Sequence, residues 1–266
     1  MTKKQKFSMT PALVDIVIPV HGKIDLLKRC LACIPNAAKD ISYKIWIYDN
    51  GTPEEEKEFY NELSTDKTIS VFQTKNGVGY PKAVNFIARK GYAPLIMVLT
   101  TDVFLNEDAI VHLVKEMDYL QTGIVGMKLL FPDGSPHGPA EKVQHVGIEF
   151  NIRAEPIHQF IGWSPDNPRV LAKKDSYAIT GAAFMVRRNL WKQVGGFFEG
   201  YGLGTYEDME LCVRVRDLGY NIKVSQEAVG YHWVNGSEVG YPLNNNRNLF
   251  MSRCGEKILY GEWKYW

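Results

Sequence analysis

Three short stretches of this sequence carry side chains that could do chemistry. Asp102 follows an apolar run in "PLIMVLTTDVF", where a carboxylate either opens a turn or holds a ligand or a metal ion. Asp208, in "TYEDMEL", comes three residues after Thr205, which is the spacing of a helix capping box. His232, in "YHWVNGS", follows an apolar stretch. A lone histidine is usually a packed residue, so its value as a ligand depends on whether it lies near Asp102.

Asp208 also has the position of a general base. On a helix it is in phase with Leu211, Val215 and Leu218, so it begins the stripe that packs inward, after the glycine-rich "GGFFEGYGLG". Glu207 falls on a different face of the same helix. Partial burial would raise the pKa of the Asp208 carboxyl toward the working range of a general base. Capping and catalysis both remain open for Asp208 on spacing alone.

Other signatures of chemistry are weak or missing. The "NGVGY" stretch is G-x-G rather than the G-x-G-x-x-G of a dinucleotide-binding loop, and it follows the third predicted strand rather than the first. No P-loop sequence occurs, and no serine has the G-x-S-x-G context of a nucleophile. Cys30 and Cys33 are spaced like a redox or zinc pair, but no second pair follows, so we interpret them as buried thiols.

Composition limits the classes of protein. The chain has 266 residues, 45% of them hydrophobic and 12% aromatic, with a net charge of +1, which predicts a packed core and no broad attraction to nucleic acid or anionic lipid. Four scattered cysteines do not make a disulfide framework. No apolar stretch reaches the ~18 residues of a membrane helix. The basic "MTKKQKFSM" is not a signal peptide, so we predict a cytoplasmic protein, with peripheral contact to a membrane left open.

The elements that must position these residues alternate between strand and helix in the first half. Apolar runs predict strands at 13–20, 43–50, 68–74, 94–99 and 123–129, and helical spacing predicts helices at 23–34, 53–63, 79–90 and 106–120. This alternation predicts an α/β fold with a Rossmann-like, mostly parallel central sheet flanked by helices. Ligands of such sheets bind beyond the carboxyl ends of the strands, where this sequence has the polar loops "DNGT", "TKNGVG" and "TTD".

The second half of the sequence does not continue the alternation of strands and helices. Residues 130–176 are proline-rich and irregular, and a predicted strand at 177–187 and a helix at about 206–218 follow. No change of composition marks a linker. We therefore predict one domain, 13–240, made of halves 13–129 and 130–240, between a basic tail at 1–12 and a C-terminal extension at 241–266.

As a set, these stretches resemble family 2 glycosyltransferases of the GT-A fold, close to the rhamnosyltransferase-like and galactofuranosyltransferase-like branch. The similarity runs from about Val14 to Ser237. In the first half "DIVIPVHGKIDLLKRCL", "IYDNGT", "NGVGYPKAVNFI" and "VLTTDVFL" resemble the opening strand and helix, the base-binding loop, the next donor loop and the D-x-D stretch. In the second half "GAAFMVRR", "VGGFFEGYG", "YEDMELCVRV" and "YHWVNGS" resemble the acceptor-side motifs, including the "ED" motif of the base.

The resemblance implies an inverting, metal-assisted transfer of a hexosyl or pentosyl group from a nucleoside-diphosphate-sugar, such as a UDP-sugar, to an acceptor hydroxyl. It implies that 13–129 binds the nucleotide-sugar and that 130–240 is a mixed acceptor half. Asp208 would be the base, and Asp102 and His232 would hold Mn²⁺ or Mg²⁺. The residues implied at the nucleotide-sugar are Pro19, Val20, Asp49, Gly51, Asn76, Gly79, Lys82, Asn85, Thr101 and Asp102. The residues implied on the acceptor side are Gly181, Trp191, Phe198, Glu199 and Glu207.

Two positions depart from the family pattern. Thr100 replaces the first acid of D-x-D, so fewer charges face the metal, and the ion is expected to bind more weakly or only together with the diphosphate. Phe198 replaces the acid that precedes Glu199, which predicts an unusual or apolar acceptor surface. The acceptor is left open among a glycan, a lipid-linked glycan, a protein and a modified nucleobase.

Two other functions stay open at this point. One is a nucleotide-sugar-binding protein without turnover, which the Thr100 departure allows. The other is a NAD-dependent oxidoreductase on the same α/β plan. The first strand–helix loop, "PVHGKID", disfavours the oxidoreductase because it lacks the three glycines of a dinucleotide-binding fingerprint.

Overall fold

The structure is a computed structural model that describes residues 11–54, 58–233 and 243–261. Its strands are, in chain order, β1 (Val14–Val20), β2 (Tyr43–Asp49), β3 (Ile69–Gln73), β4 (Leu95–Leu99), β5 (Val103–Leu105), β6 (Thr122–Leu130), β7 (Val143–His145), β8 (Ile148–Phe150), β9 (Pro156–His158), β10 (Ala183–Arg187) and β11 (Asn221–His232). Its α-helices are α1 (Ile24–Ala38), α2 (Glu58–Leu63), α3 (Tyr80–Lys90), α4 (Ala109–Glu116), α5 (Pro168–Leu171), α6 (Arg188–Val194), α7 (Glu207–Arg216) and α8 (Leu243–Tyr260).

One sheet of nine strands organises the molecule, in the order β3-β2-β1-β4-β10-β6-β11-β5, with β7 paired to β6. The first four strands in this order are parallel, as the alternation of strand and helix predicts. β10 enters antiparallel between β4 and β6, and β5 runs antiparallel to β11. The predicted fold class, an α/β sheet with a mixed second half, is therefore confirmed.

The two faces of the sheet carry separate hydrophobic clusters. Val17 of β1 packs in one cluster with α3, while its neighbours Ile16 and Ile18 pack in the other with α1. Side chains of successive strand residues point to opposite faces, so a strand covered on both faces is apolar throughout. All seven residues of β1 and all five of β4 are buried, which explains why their sequences show no alternation.

The C-terminal helix α8 packs into the same core. Its residues Phe250, Cys254 and Ile258 are buried in the cluster that contains α3 and α7. The predicted boundary between the domain and an extension at 241–266 stays a prediction, and residues 1–10, 241–242 and 262–266 of the predicted tail and extension lie outside the described residues. In the described part of the chain, no helix is both long and apolar enough to cross a membrane.

One local prediction is wrong, and one alternative left open by the sequence does not occur. The strand predicted at 177–187 begins only at Ala183, because the amides of Thr180 and Gly181 donate to side chains instead of to a neighbouring strand. The predicted capping box between Thr205 and Asp208 does not form. Helix α7 begins after Tyr206, which has a left-handed φ of 70°, and no side chain caps its N-terminus.

Candidate functional site

A cavity of about 350 Å³ opens at the carboxyl ends of β1 and β4. Loops that follow the parallel strands line one side of it, where a doubly wound sheet binds its ligands. The turn at 180–182 and the segment that leads into α7 line the other side. The cavity therefore lies between the two predicted halves of the chain.

Nine of the predicted site residues line this cavity. They are Pro19, Val20, Gly79, Thr101, Asp102, Gly181, Glu207, Asp208 and His232. Thr100, which the sequence places in the D-x-D stretch, lines it too, and the lining residues that sequence reasoning missed are His21, Lys23, Asn50, Gly77, Tyr80, Thr180, Ala182, Leu203, Gly204 and Thr205. Most of these are chain neighbours of predicted residues, but nothing in the sequence of 203–205 beyond Gly204 and the possible cap at Thr205 pointed to a cavity lining.

Close contact between loops shapes the donor side of the cavity. Gly51 has a φ of 95°, and a Cβ atom there would lie 2.9 Å from the backbone nitrogen of Gly77. A Cβ atom on Gly79 would overlap the carbonyl oxygen of Gly202. Only glycine permits such approach, so these two positions bring the loops after β2 and β3, and the loop before α7, against one another.

Asp49 lies at the end of β2, beneath this donor side. Its side chain is fully buried, and its Oδ1 atom accepts a hydrogen bond of 2.7 Å from the amide of Thr52. Within the described part of the chain, its Oδ2 atom has no hydrogen-bond partner. A buried carboxylate oxygen without a partner is costly, which makes Asp49 a candidate to receive a donor group from a ligand.

Asp49 and Gly51 do not themselves line the cavity, and neither do the predicted donor-side residues Asn76, Lys82 and Asn85. Asn76 and Lys82 are exposed. Asn85 is buried, and its side chain forms hydrogen bonds with both the amide and the carbonyl of Phe197. The structure thus places Asn85 as a link between α3 and the glycine-rich loop before α7.

Asp102 and His232 come together at the edge of the cavity. The antiparallel pairing of β5 with β11 sets His232 opposite Val103, and the amide of Trp233 donates to the Asp102 carbonyl. His232 Nε2 lies 3.6 Å from Asp102 Oδ2. The Thr100 hydroxyl donates to Asp102 Oδ1 at 2.6 Å. Asp102 is 9% exposed; burial acts to raise its pKa, but His232 and the Thr100 hydroxyl outweigh burial and hold that pKa below its usual value.

The chemistry of this pair suits a cation. His232 Nδ1 lies 3.3 Å from the side-chain oxygen of Gln144 and can donate to it, so Nε2, which faces Asp102, is the nitrogen that could bind an ion after losing its proton. A lone pair and a carboxylate that face each other are both satisfied by a divalent ion. No group of three His, Cys, Asp or Glu ligands occurs among residues 11–54, 58–233 and 243–261, so further ligands would have to come from a bound molecule or water.

Two adjacent carboxyls, Asp208 and Glu207, lie on the acceptor side. Asp208 is half-buried; its Oδ2 atom accepts from the amide of Gly181 at 2.6 Å, and its Oδ1 atom accepts from the amide of Met209 at 2.7 Å. Burial raises the pKa of Asp208, and the bonds from Gly181 and Met209 only partly offset that rise. This direction is the one expected from the sequence.

Glu207 is not on the solvent side of α7. It is 5% exposed and lines the cavity, and within the described part of the chain its Oε2 atom has no hydrogen-bond partner. Burial and the nearby Asp208 carboxyl raise its pKa well above the usual value. Glu207 and Asp208 are consecutive residues on different faces of α7, and both reach the cavity because they stand at the very start of this helix, after the left-handed Thr205 and Tyr206.

Three predicted acceptor-side residues lie away from the cavity lining. Trp191 is buried in the core, and Glu199 accepts a hydrogen bond from Asn85. Phe198 packs edge-on against Tyr201, and the guanidinium of Arg253 lies 3.6 Å from the centre of its ring. The Phe198 departure therefore affects packing between the glycine-rich loop and α8, and the unusual or apolar acceptor surface expected from it stays a prediction.

Known proteins resemble this chain over most of its length. A model of the family described as glycosyl transferase family 2 matches residues 15–194. Two curated relatives are each 23% identical: the uncharacterized protein y4gI of Sinorhizobium fredii, over 83% of this chain, and the O-antigen biosynthesis protein RfbC of Myxococcus xanthus, over 79%. The chain spans only 24% and 16% of the lengths of these two relatives.

Solved structures share the fold. GalNAc-T7 with UDP, GalNAc and Mn²⁺ matches with a TM-score of 0.72 at 15% identity, over 92% of this chain and 49% of that one. The mannosyltransferase PcManGT from Pyrobaculum calidifontis, in complex with GDP-Man and Mn²⁺, matches with a TM-score of 0.62 at 14% identity, over 90% of this chain and 61% of that one. S. aureus TarS 1-349 in complex with UDP-GlcNAc matches with a TM-score of 0.60 at 13% identity, over 92% and 70%. At such identities the likeness concerns the fold, and it agrees with the predicted GT-A class.

Proposed function

The chain belongs to glycosyl transferase family 2, as its sequence motifs predict, and we propose that it transfers a sugar from a nucleoside-diphosphate-sugar to an acceptor hydroxyl with inversion. One observation carries this proposal. A single cavity has the Asp102–His232 pair on one side and the Asp208–Glu207 pair on the other. A ligand that spans the cavity would meet a candidate cation site and a candidate base together.

The donor half of the cavity supports binding of a nucleoside diphosphate. The unpartnered Asp49 Oδ2 can accept a hydrogen bond from a base or a ribose hydroxyl. Asn50, the next residue in the chain, and Gly77, which packs against Asn50, line the cavity. The solved neighbours contain UDP, UDP-GlcNAc or GDP-Man, and these ligands indicate the classes of donor to test first.

Asp102 and His232 are the residues that would hold Mn²⁺ or Mg²⁺. When bound, such an ion neutralises the charge that develops on a departing diphosphate. The Thr100 hydroxyl orients the Asp102 carboxylate without adding charge, and the Gln144 oxygen orients His232. With only two protein ligands in the described part of the chain, we propose that the ion binds chiefly together with the diphosphate.

Asp208 is the proposed general base. The amide of Gly181 fixes one of its oxygens, and the raised pKa keeps the carboxylate basic enough to take a proton from an acceptor hydroxyl. The acceptor oxygen then attacks the anomeric carbon on the face opposite to the leaving diphosphate, so the configuration inverts. Glu207 lines the same region and is proposed to contact the acceptor.

A donor screen tests this proposal. The purified chain is incubated with UDP-, GDP-, dTDP- and CDP-sugars and Mn²⁺, and separately with NAD, and both thermal shift and release of nucleoside diphosphate are measured. We expect one nucleotide class to raise the melting temperature and to be released from its sugar. A shift without release, even with glycan, lipid-linked, protein and nucleobase acceptors, would favour the nucleotide-sugar-binding protein without turnover. Stabilisation by NAD alone would favour the oxidoreductase.

A further inference from the structure

A buried asparagine on α8 holds the segment that forms the acceptor side of the cavity. Asn246 is 4% exposed, and its side-chain nitrogen donates to the carbonyl oxygens of Tyr201 at 3.0 Å and Gly204 at 2.5 Å. The same nitrogen lies 3.1 Å from the hydroxyl oxygen of Thr205. A carboxamide is uncharged and has two hydrogens on one nitrogen, so it can bond two carbonyls of a loop at once.

The segment that Asn246 holds is residues 201–206, which we name the acceptor loop. Three of its residues, Leu203, Gly204 and Thr205, line the cavity. Its backbone is strained, because Thr205 and Tyr206 both have left-handed φ angles, of 78° and 70°. Non-glycine residues keep such conformations only where surrounding contacts impose them. The strained residues directly precede Glu207 and Asp208, so the conformation of the loop sets the positions of both carboxyl groups.

A second contact joins α8 to the start of this loop. Arg253 donates to both oxygens of the buried Glu210 carboxylate at 2.8 and 2.9 Å, and the Tyr201 hydroxyl donates to the same carboxylate at 2.6 Å. α8 therefore contacts the loop directly through Asn246 and indirectly through Arg253. Residues of α8 lie outside the 15–194 stretch that matches the family model.

We propose that Asn246 is a positioning residue of the active site. It keeps the acceptor loop in the strained conformation that shapes the acceptor side of the cavity and positions Asp208. Helix α8 is therefore part of the structure that supports the active site. The expected effect on catalysis rests on the proposed function. The claim that Asn246 holds the acceptor loop in place does not depend on it. Any acceptor that enters the cavity would contact the acceptor loop, which α8 holds in place.

The chain offers a matched control, because "LNNNRN" places exposed asparagines on the same helix. Asn246→Ala removes the two donors, and Asn246→Asp keeps the shape but, when ionised, has no donor. Asn245→Ala makes the same chemical change as Asn246→Ala at an exposed position. Asn246→Ser keeps one donor and serves if the other two variants fail to fold. Each is made in the full chain and compared by hydrogen exchange, by binding of UDP with Mn²⁺, and by UDP release from UDP-GlcNAc.

We expect exchange in peptides covering 201–206 to speed up about 10-fold or more in Asn246→Ala and Asn246→Asp, with the peptides of β1 to β4 unchanged. UDP release should fall by about 10²-fold, since misplacing a catalytic group by about 1 Å costs that much, while UDP affinity stays within about 2-fold. Asn245→Ala should match the wild type, and Asn246→Ser should lie between.

Unchanged exchange at 201–206 in Asn246→Asp would overturn the proposal. A second outcome would also overturn it: faster exchange throughout α7 and α8 together with normal UDP release at temperatures below the melting temperature. That pattern is expected of a residue that only stabilises packing. If the wild type releases no nucleoside diphosphate from any sugar donor, the proposed function fails, and the exchange measurement still decides whether Asn246 holds the loop.

Discussion

The Nε2 atom of His232 lies 3.6 Å from the Oδ2 atom of Asp102, although the two residues belong to different halves of the sequence. The pairing of β5 with β11 creates this contact, and the Gln144 oxygen leaves Nε2 facing the carboxylate. A carboxylate and an imidazole nitrogen that face each other can both bind a metal ion, which predicts a shared cation. The first prediction follows from this pair.

Asp102→Asn should abolish the tightening of UDP binding that Mn²⁺ produces, because an amide oxygen has no charge to offer the ion. Binding of UDP without metal should change little. Calorimetry with Mn²⁺ and with EDTA measures both, and Asp118→Asn, an exposed acid, is the control. Equal binding of the donor with and without EDTA in the wild type would remove the metal role from Asp102 and His232.

Asp208→Asn should fold and bind donor normally but lose about 10²–10⁴-fold in turnover, since asparagine can still accept the Gly181 hydrogen bond but cannot take a proton. In the wild type the pKa of Asp208 is raised by burial, so turnover should rise with pH as this carboxyl loses its proton. Initial rates across pH, with the melting temperature measured on the same preparation, test both statements. A fully active Asp208→Asn enzyme would exclude Asp208 as the base.

Glu207→Gln should stabilise the protein at neutral pH. Burial and Asp208 raise the pKa of Glu207 in the folded state, so the folded chain holds a proton that the unfolded chain loses above about pH 4.3. Stability therefore falls as pH rises above that value, and glutamine removes the loss. We expect a higher melting temperature at pH 7, by about 2–4 °C for each kcal/mol gained in the free energy of unfolding, and no gain near pH 4. A gain of the same size at both pH values would contradict the raised pKa.

Asp49→Asn should weaken binding of the nucleoside diphosphate by about 1.5–3 kcal/mol, the range for a hydrogen bond to a charged group. Asparagine keeps the Oδ1 acceptor that bonds the Thr52 amide, so the loop should remain in place. Asp40→Asn, at an exposed position, is the control. If calorimetry finds the same affinity for Asp49→Asn and the wild type, Asp49 does not contact the nucleotide.

Much of this molecule follows from the sequence alone. Apolar runs and helical spacing are local patterns, so β1 to β4 and α1 to α3 lie close to where they were predicted. Parallel strands end at one edge of their sheet, so the polar loops after them had to meet there. The ordered set of motifs sufficed to predict the family, since each motif stands on one of these local elements.

Only the tertiary structure decided which of those residues reach the cavity. Asn85 matches a family motif and Phe198 departs from one, yet the side chains of both make contacts away from the cavity, with Phe197 and Arg253, because the direction of a side chain depends on elements distant in sequence. The left-handed Thr205 and Tyr206 displace the predicted capping box and put Glu207 beside Asp208 in the cavity lining. Asn246 of α8 forms hydrogen bonds with the segment that contains them, and the sequence pattern of this helix says nothing about the loop it contacts.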